Sequence, residues 1–347
     1  MYGTIFVIEE SPHDAKTMYV GTDDGNVQLT KDGGATWTNV TPPTAGDGLV
    51  NELEVSPHDP GTVYVAYRKD RVGDPAPYIY RSTDFGKTWT MLVSGLRAGE
   101  PVRVVREDPE RKGLMYAGTE TAVYLSYDGG ARWQLFSGNL PVVPVTDLEV
   151  RHGDLIASTE GRAFWILDDL SVIRQHADSL ATATAHLYKP RTALLVGGGG
   201  GFGGGAGANM VGRNPRSGAV VNYRLATAPD SATTVRLEFL DSKGAVVRSY
   251  SNKEGNGPAR LAPKAGVNTF ALGPAPPGAD DVAGGAPLWR PGGRCTRPAG
   301  DVQRAADGGD HDAHAVVRGE AGSAARDADA AAGGAGFGGQ PARDAHW

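Results

Sequence analysis

The chain has 347 residues, enough for two domains, with 50 glycines, 23 prolines and a formal net charge of −6. A negative balance without a basic run excludes nucleic acid as the partner, and the single cysteine, Cys295, excludes an internal disulfide framework. No apolar stretch is long enough to span a bilayer, and the opening MYGTIFVIEESPHD lacks the basic start and apolar core of a secretory signal.

From Ser11 the sequence reads SPHDAKTMYVGT, a turn followed by a short β-rich run bounded by Pro, Asp and Gly; NVQLT then alternates across two faces. The octet TKDGGATW follows at 30–37. The same order returns as SPHDPGTVYVAY from Ser56, YIYRS, and STDFGKTW at 82–89. It returns once more as EDPERKGLMYAGT from Glu107, AVYLS, and SYDGGARW at 126–133. The octet aspartates Asp32, Asp84 and Asp128 lie 52 and 44 residues apart. That period suits a unit of four short strands and not a helical hairpin of ~34 residues. The polar insert RKDRVGDPAP at 68–77 accounts for the longer second unit and is predicted to be an elongated loop. One unit reads strand, turn, strand, octet, strand.

The octet has a mechanical reading. Its Asp accepts hydrogen bonds from backbone N–H groups of its own turn, and Gly34, Gly86 and Gly130 supply a positive φ two places later. Ser or Thr at the first position and Thr at the seventh add hydroxyl bonds. The closing Trp37, Trp89 and Trp133 each offer a large apolar surface to a neighbouring strand or unit. Arg132 replaces the seventh-position Thr, so the third turn is expected to be the loosest. These octets resemble the Asp-box, or BNR repeat, of β-propellers in sialidases, sortilin-type receptors and two-propeller xyloglucanases, a group that overlaps WD40/YVTN-type repeats. The resemblance implies a β-propeller fold with the boxes on its outer rim. It therefore implies a structural role for Asp32, Asp84 and Asp128, since a scaffold motif identifies no activity.

A fourth unit begins at VTDLEVRHGDLIASTEGRAFWILDDL, residues 145–170, with two strand-like runs around a His-Gly-Asp turn and no octet. EGRAFWILDDL resembles the end of the last blade in large bacterial secreted proteins labelled glycosyl hydrolase or sortilin-like, whose propellers precede an immunoglobulin-like module. There Arg162 is expected to form a blade-closing ion pair with Asp168 and Asp169, with a ligand role as the alternative. HLYKPRTALLV at 186–196 reads as a crossing strand, and GGGGGFGGGAGANMVG at 197–212 as flexible connector; no helix start follows, so a phosphate-loop reading is poor. AVVNYRLA, TTVRLEFLDSKGAVVRSY and AGVNTFAL restore strand texture from 219 to about 270, with a hairpin over Ser-Lys-Gly. This stretch resembles the first half of an Ig-like or fibronectin-like module.

The expected architecture is all-β: three and a half four-stranded propeller blades over 1–175, a linker over 176–218, a partial Ig-like β-sandwich over 219–270 and a disordered tail over 271–347. From Asp301 onward Leu, Ile, Thr and Tyr are absent, and no strand is expected. Suitable codons for GDVQRAAD, VVRGEA and ALGPAP shift into strand-like sequences, as a tail translated out of frame would. Propellers close with typically 4 to 8 blades, so an unclosed series would expose a strand edge and an apolar blade face. The resembling proteins are usually exported. Met1 is therefore read as an internal start in a longer secreted or periplasmic parent, whose N-terminal blades would be this chain's partners.

No catalytic pair stands out. Glycoside hydrolysis needs two carboxyl groups facing one sugar, and Asp23, Asp24, Asp70, Asp74 and Glu120 sit in loops with nothing to pair them; with Arg162 they are the candidate ligand-loop residues. The Arg-Ile-Pro signature of sialidases is absent. His13 and His58 recur in Ser-Pro-His-Asp turns and read as parts of the repeat. DHDAH at 310–314 has a metal-like composition in an unstructured context, so no metal and no cofactor is expected. The expected function is a non-catalytic module binding a protein, peptide or glycan ligand, with a remnant of a BNR-repeat glycoside hydrolase, xyloglucanase-like or sialidase-like, as the alternative.

Overall fold

The computed structural model describes residues 3–177, 180, 182–191, 219–240, 246–254, 260–272 and 314–320. The chain divides into two units between Leu170 and Ser171.

The first unit is a series of antiparallel meanders. Strands β1 (Ile5–Glu10), β2 (Met18–Thr22), β3 (Val27–Thr30) and β4 (Thr38–Asn39) form blade 1. Blade 2 is β5 (Leu49–Val55), β6 (Val63–Lys69), β7 (Asp74–Ser82) and β8 (Thr90–Met91). Blade 3 is β9 (Val102–Glu107), β10 (Met115–Thr119), β11 (Val123–Ser126) and β12 (Gln134–Leu135). Blade 4 has three strands, β13 (Val145–Arg151), β14 (Asp154–Thr159) and β15 (Phe164–Leu167). These are the sheets of a partial β-propeller.

Each unit differs from its sequence reading by one strand. An inner strand, β1, β5 or β9, precedes the Ser-Pro-His-Asp turn or its counterpart, and the runs read from sequence are the second and third strands. The insert at 68–77 is also no loose loop. Strands β6 and β7 extend into it, and Asp70–Val72 make one turn of 3-10 helix ending on Gly73 at φ 88°.

Period-2 burial welds the blades. On β6, Val63, Val65 and Tyr67 join the core with blade 1, while Tyr64 and Ala66 join the core with blade 3. Over Val63–Tyr67 the strand is buried with apolar side chains on both faces. The octets sit between third and fourth strands. Asp84 accepts from Ser82 Oγ at 2.8 Å, Thr88 N at 2.8 Å and Thr88 Oγ1 at 2.7 Å, and Asp32 repeats all three bonds. Gly34, Gly86 and Gly130 have φ of 94°, 81° and 85°, where a Cβ is disfavoured. Asp128 bonds Ser126 Oγ and Arg132 N. The third turn thus lacks the hydroxyl bond that Thr36 and Thr88 provide.

The tryptophans reach backwards along the series. Trp89 Nε1 donates to Val40 O at 2.9 Å and Trp133 Nε1 to Leu92 O at 2.9 Å, each carbonyl lying just past the fourth strand of the preceding blade. The turn histidines reach forwards: His13 Nε2 meets Ser56 O at 2.9 Å and His58 Nε2 meets Asp108 O at 2.7 Å. Both repeated residue types therefore serve blade-to-blade docking.

Asp84 is half-buried rather than enclosed, and Asp32 and Asp128 are exposed, so the box carboxylates work at the surface. Thr88 N–H, then the Thr88 hydroxyl, hold the Asp84 carboxyl down at about 2. Its contribution is present above the ordinary value of 3.8 and is lost as pH falls through about 2. Asp74 accepts from Tyr78 OH and Ala76 N, one bond fewer. Asp84→Ala is expected to lower the melting temperature by a few degrees and by more than Asp74→Ala does. Equal melting temperatures in calorimetry would sink the turn-acceptor account.

The second unit contains two three-stranded sheets. One is β16 (Ala185–Leu187), β17 (Ala219–Leu225) and β20 (Gly266–Leu272); the other is β19 (Val246–Ser251), β18 (Thr234–Leu240) and β21 (His314–Glu320). Val221, Tyr223 and Leu225 of the first sheet share a core with Val235, Leu237 and Phe239 of the second. Strand β21 corrects the expectation that nothing after Asp301 forms a strand, for it pairs with β18 from Thr234↔Glu320 to Leu240↔His314. Its backbone finds a ladder on β18, a tertiary partner that composition does not reveal. Strand β20 likewise carries order to Leu272. The Gly-rich run, Cys295, most of DHDAH and the rest of the tail lie outside the described residues.

Candidate functional site

A four-stranded antiparallel meander puts the first and third hairpins at one end and the second hairpin, with the link to the next blade, at the other. The octets and Ser-Pro-His-Asp turns share the first end. The candidate ligand-loop residues Asp23, Asp24, Asp70, Asp74, Glu120 and Arg162 all belong to second hairpins, so the topology gathers them at the opposite, loop end.

Side-chain geometry then separates them. Asp23 accepts the N–H groups of Gly3 and Thr4, both at 2.8 Å, and Asp24 accepts from Thr22 Oγ1 at 2.5 Å. Asp23 and Asp24 are held below the usual carboxylate range, first by the Thr4 N–H and the Thr22 hydroxyl respectively. The Tyr78 hydroxyl is the first cause of the same lowering at Asp74. Asp70 and Glu120 are brought together through Arg68, whose Nη2 lies 2.8 Å from Asp70 and 3.2 Å from Glu120. Arg103 continues the line, binding Glu120 at 2.8 Å and Glu160 at 3.2 Å. A ladder Asp70–Arg68–Glu120–Arg103–Glu160 thus crosses blades 2, 3 and 4. Arg162 is exposed and forms no ion pair among the described residues, which corrects the expected blade-closing pair.

A second cluster went unread in the sequence. Inner strands meet at the blade axis, and there Arg106 on β9 binds Glu52 Oε1 at 2.9 Å, Glu54 Oε2 at 3.1 Å, Asp147 Oδ1 at 3.0 Å and Leu148 O at 2.8 Å. Glu54 also accepts the Glu107 N–H at 3.2 Å. Burial pushes Glu54 up to about 8 against the pull of Arg106. Burial likewise pushes Glu9 up to about 7, with Glu52 and Glu149 repelling it and Arg106 opposing. Glu52 is raised for the same leading reason. One guanidinium therefore holds carboxyls from blades 2 and 4 and acts on one from blade 1. Near neutral pH some of these carboxyls carry protons, so the cluster can hold or release protons or receive a cationic group. The available signal was charged residues inside the apolar runs IFVIEE, LVNELEV and VRVVRE. Among the described residues no group of acidic, His or Cys side chains is arranged to hold a metal ion.

The BNR/Asp-box repeat family model matches residues 80–91, which span the second octet. No curated protein matches the sequence. Among solved structures, YCF48 bound to D1 peptide is 17% identical, with a TM-score of 0.37 over 47% of this chain and 50% of its own. The GH74 xyloglucanase from Xanthomonas campestris is 19% identical, with a TM-score of 0.37 over 45% of this chain and 26% of its own. An ancestral GH74 enzyme is 16% identical, with a TM-score of 0.41 over 72% of this chain and 33% of its own. The chain spans half or less of the length of these three structures.

Proposed function

We propose that the chain is a non-catalytic propeller module that binds a protein or peptide ligand at its loop end. The observation that supports this is the ion-pair ladder from Asp70 to Glu160, which fixes alternating charges across three blades. A rigid surface of that kind suits an extended ligand of mixed charge, because little side-chain entropy is lost on contact. The loop carboxylates are engaged by turn N–H groups, hydroxyls or guanidinium groups, and where they shift they are lowered, the reverse of what a general acid needs. Peptide and glycan arrays should show binding without release of reducing sugar, and Arg103→Ala should weaken that binding at least ~10-fold. Undiminished binding by this variant would remove the ladder from the account.

The alternative, a hydrolase remnant, draws on Glu9 at about 7 and Glu54 at about 8, since a carboxyl protonated near neutrality is the form a general acid takes. Release of oligosaccharide from a β-glucan, lost in Glu54→Gln, would favour that reading over the first.

A further inference from the structure

We propose that Asp47 is a site of spontaneous covalent modification, where the bond to Gly48 rearranges to a β-aspartyl linkage with water as the only co-reactant. Three other Asp–Gly pairs of the same unit are protected from this reaction by the hydrogen bonds of the fold. The proposal stands apart from the ligand reading.

An Asp side chain followed by Gly is open to attack by the Gly amide nitrogen, because no Cβ hinders the approach and the backbone there turns freely. The nitrogen bonds to Asp Cγ, one water leaves, and a small cyclic imide results. Water then adds to one of the two imide carbonyls and reopens the ring. Opening at the main-chain carbonyl leaves the chain running through Cβ and Cγ, with no net change in atoms and no oxidation. Two groups must be free for this to happen. The carboxyl has to turn onto its own main chain, and the Gly N–H has to leave any acceptor that it serves.

Among the described residues, Asp–Gly pairs stand at Asp24, Asp32, Asp47 and Asp128. In the octets, Asp32 accepts from Thr36 Oγ1 at 2.6 Å and Thr36 N at 2.9 Å, and the Gly33 N–H donates to Lys16 O at 3.0 Å. Asp128 accepts from Ser126 Oγ at 2.7 Å and Arg132 N at 2.9 Å, and the Gly129 N–H donates to Gly113 O at 2.8 Å. Asp24 accepts from Thr22 Oγ1, and the Gly25 N–H donates to Thr22 O at 3.3 Å. The Thr36 hydroxyl first, then its N–H, hold the Asp32 carboxyl down at about 2, and the Thr22 hydroxyl holds Asp24 below the usual range. The neutral carboxyl, the form that loses water, is correspondingly scarce at both. Asp47 differs on each count. It is exposed on the link between β4 and β5, and neither its carboxylate nor the Gly48 N–H has a hydrogen-bond partner among the described residues. The linkage would also be felt structurally. Gly48 lies so close to β6 that a Cβ there would meet Lys69 Cγ at 2.8 Å and Arg68 O at 3.2 Å, and the Lys69 ammonium in turn lies 4.4 Å from the Tyr78 ring centre. An added main-chain carbon disturbs that fit at the loop end.

The test holds the full chain near neutral pH in water enriched in the heavy oxygen isotope, followed by digestion in ordinary water. Each imide that reopens takes up one heavy oxygen, and fragment ions in mass spectrometry locate it. They also separate these four pairs from Asn256–Gly257 and Asp307–Gly308, which lie outside the described residues. Label at Asp47 should exceed that at Asp24, Asp32 or Asp128 at least ~10-fold, the factor expected when one hydrogen bond to a charged group must break before reaction. In urea the four pairs should label alike. Asp47→Glu, which would have to close a larger ring, should lose the label at this position and leave the other three unchanged. Equal labelling of the four pairs in the folded chain overturns the proposal. So does an unlabelled Asp47 over a period in which the unfolded chain reacts. A ranking that persists in urea overturns it too, by tracing the difference to neighbouring residue types and not to the fold.

Discussion

Trp133→Ala is expected to destabilise the first unit by about 3–5 kcal/mol, the usual cost of deleting a large aromatic from a packed interior, while Trp37→Ala changes stability by no more than ~0.5 kcal/mol. Both residues close the same octet, and local turn chemistry would predict equal effects. What differs is the neighbour. Trp133 fills the space between blades 2 and 3, packs among Leu92, Val105 and Met115, and gives its indole N–H to Leu92 O. Gly95 is part of the same fit, since at φ 92° any Cβ would strike the Trp133 carbonyl. Removing the indole leaves a cavity and an unpaired carbonyl, and the close backbone approach at Gly95 hinders collapse of the gap. Trp37 is 43% exposed, gives its indole N–H to Gly34 O of its own turn and belongs to no blade-to-blade core among the described residues. Denaturant melts of the two variants would decide the point, and comparable losses would show that the tryptophan acts inside its turn and not between blades.

The same contrast explains what could be read from the sequence. Turn-level features were legible because they are local: the Asp, the Ser or Thr hydroxyl and the positive-φ Gly interact within five residues of one another. The repeat spacing then gave the number of units and their all-β character. Inner strands escaped because IFVIEE, LVNELEV and VRVVRE place carboxylates and arginines where a buried strand is expected to be apolar. Those charges are tolerated only because Arg106 meets partners 52 to 54 residues before it and 41 after it, a juxtaposition that exists only in the folded series. The loop-end ladder was invisible for the same reason: Glu120 is far in sequence from Arg68 and sits in a hairpin that reads as an ordinary turn. Residues 68–77 looked like a loop because Lys, Asp, Gly and Pro dominate, yet Tyr67 and Tyr78 pair across β6 and β7 and carry the ladder into the insert. Strand β21 is the converse case, where a modest HAVVRGE becomes a strand through an edge supplied by β18.

The axial cluster yields the second large effect, in Arg106→Gln. Arg106 is 15% exposed, and Glu52 and Glu54 are 16% and 13% exposed, so the pairs are largely withdrawn from water. Removing one partner of a buried ion pair typically costs about 3–5 kcal/mol, because the remaining charge is left uncompensated. That cost depends on pH with a definite sign. Glu9 and Glu54 have folded values of about 7 and about 8, above the ordinary 4.5, so protons favour the folded state. Their contribution is fully present below pH 4.5 and is lost as pH rises through about 7 and then about 8. Arg106 opposes the rise at both groups, and its loss moves both values higher still. Arg106→Gln should therefore be damaging at pH 9, where the carboxyls ionise without a counter-charge, and much milder at pH 5, where Glu9 and Glu54 are neutral. Adding Glu54→Gln should recover part of the loss at pH 9 by replacing the carboxylate with an amide of the same shape. Stability measured by urea unfolding at the two pH values tests both statements. A loss of equal size at pH 5 and pH 9, with no recovery in the double variant, would mean that Arg106 acts through packing of its aliphatic stem and its bond to Leu148 O, and that the carboxyls around it are bystanders.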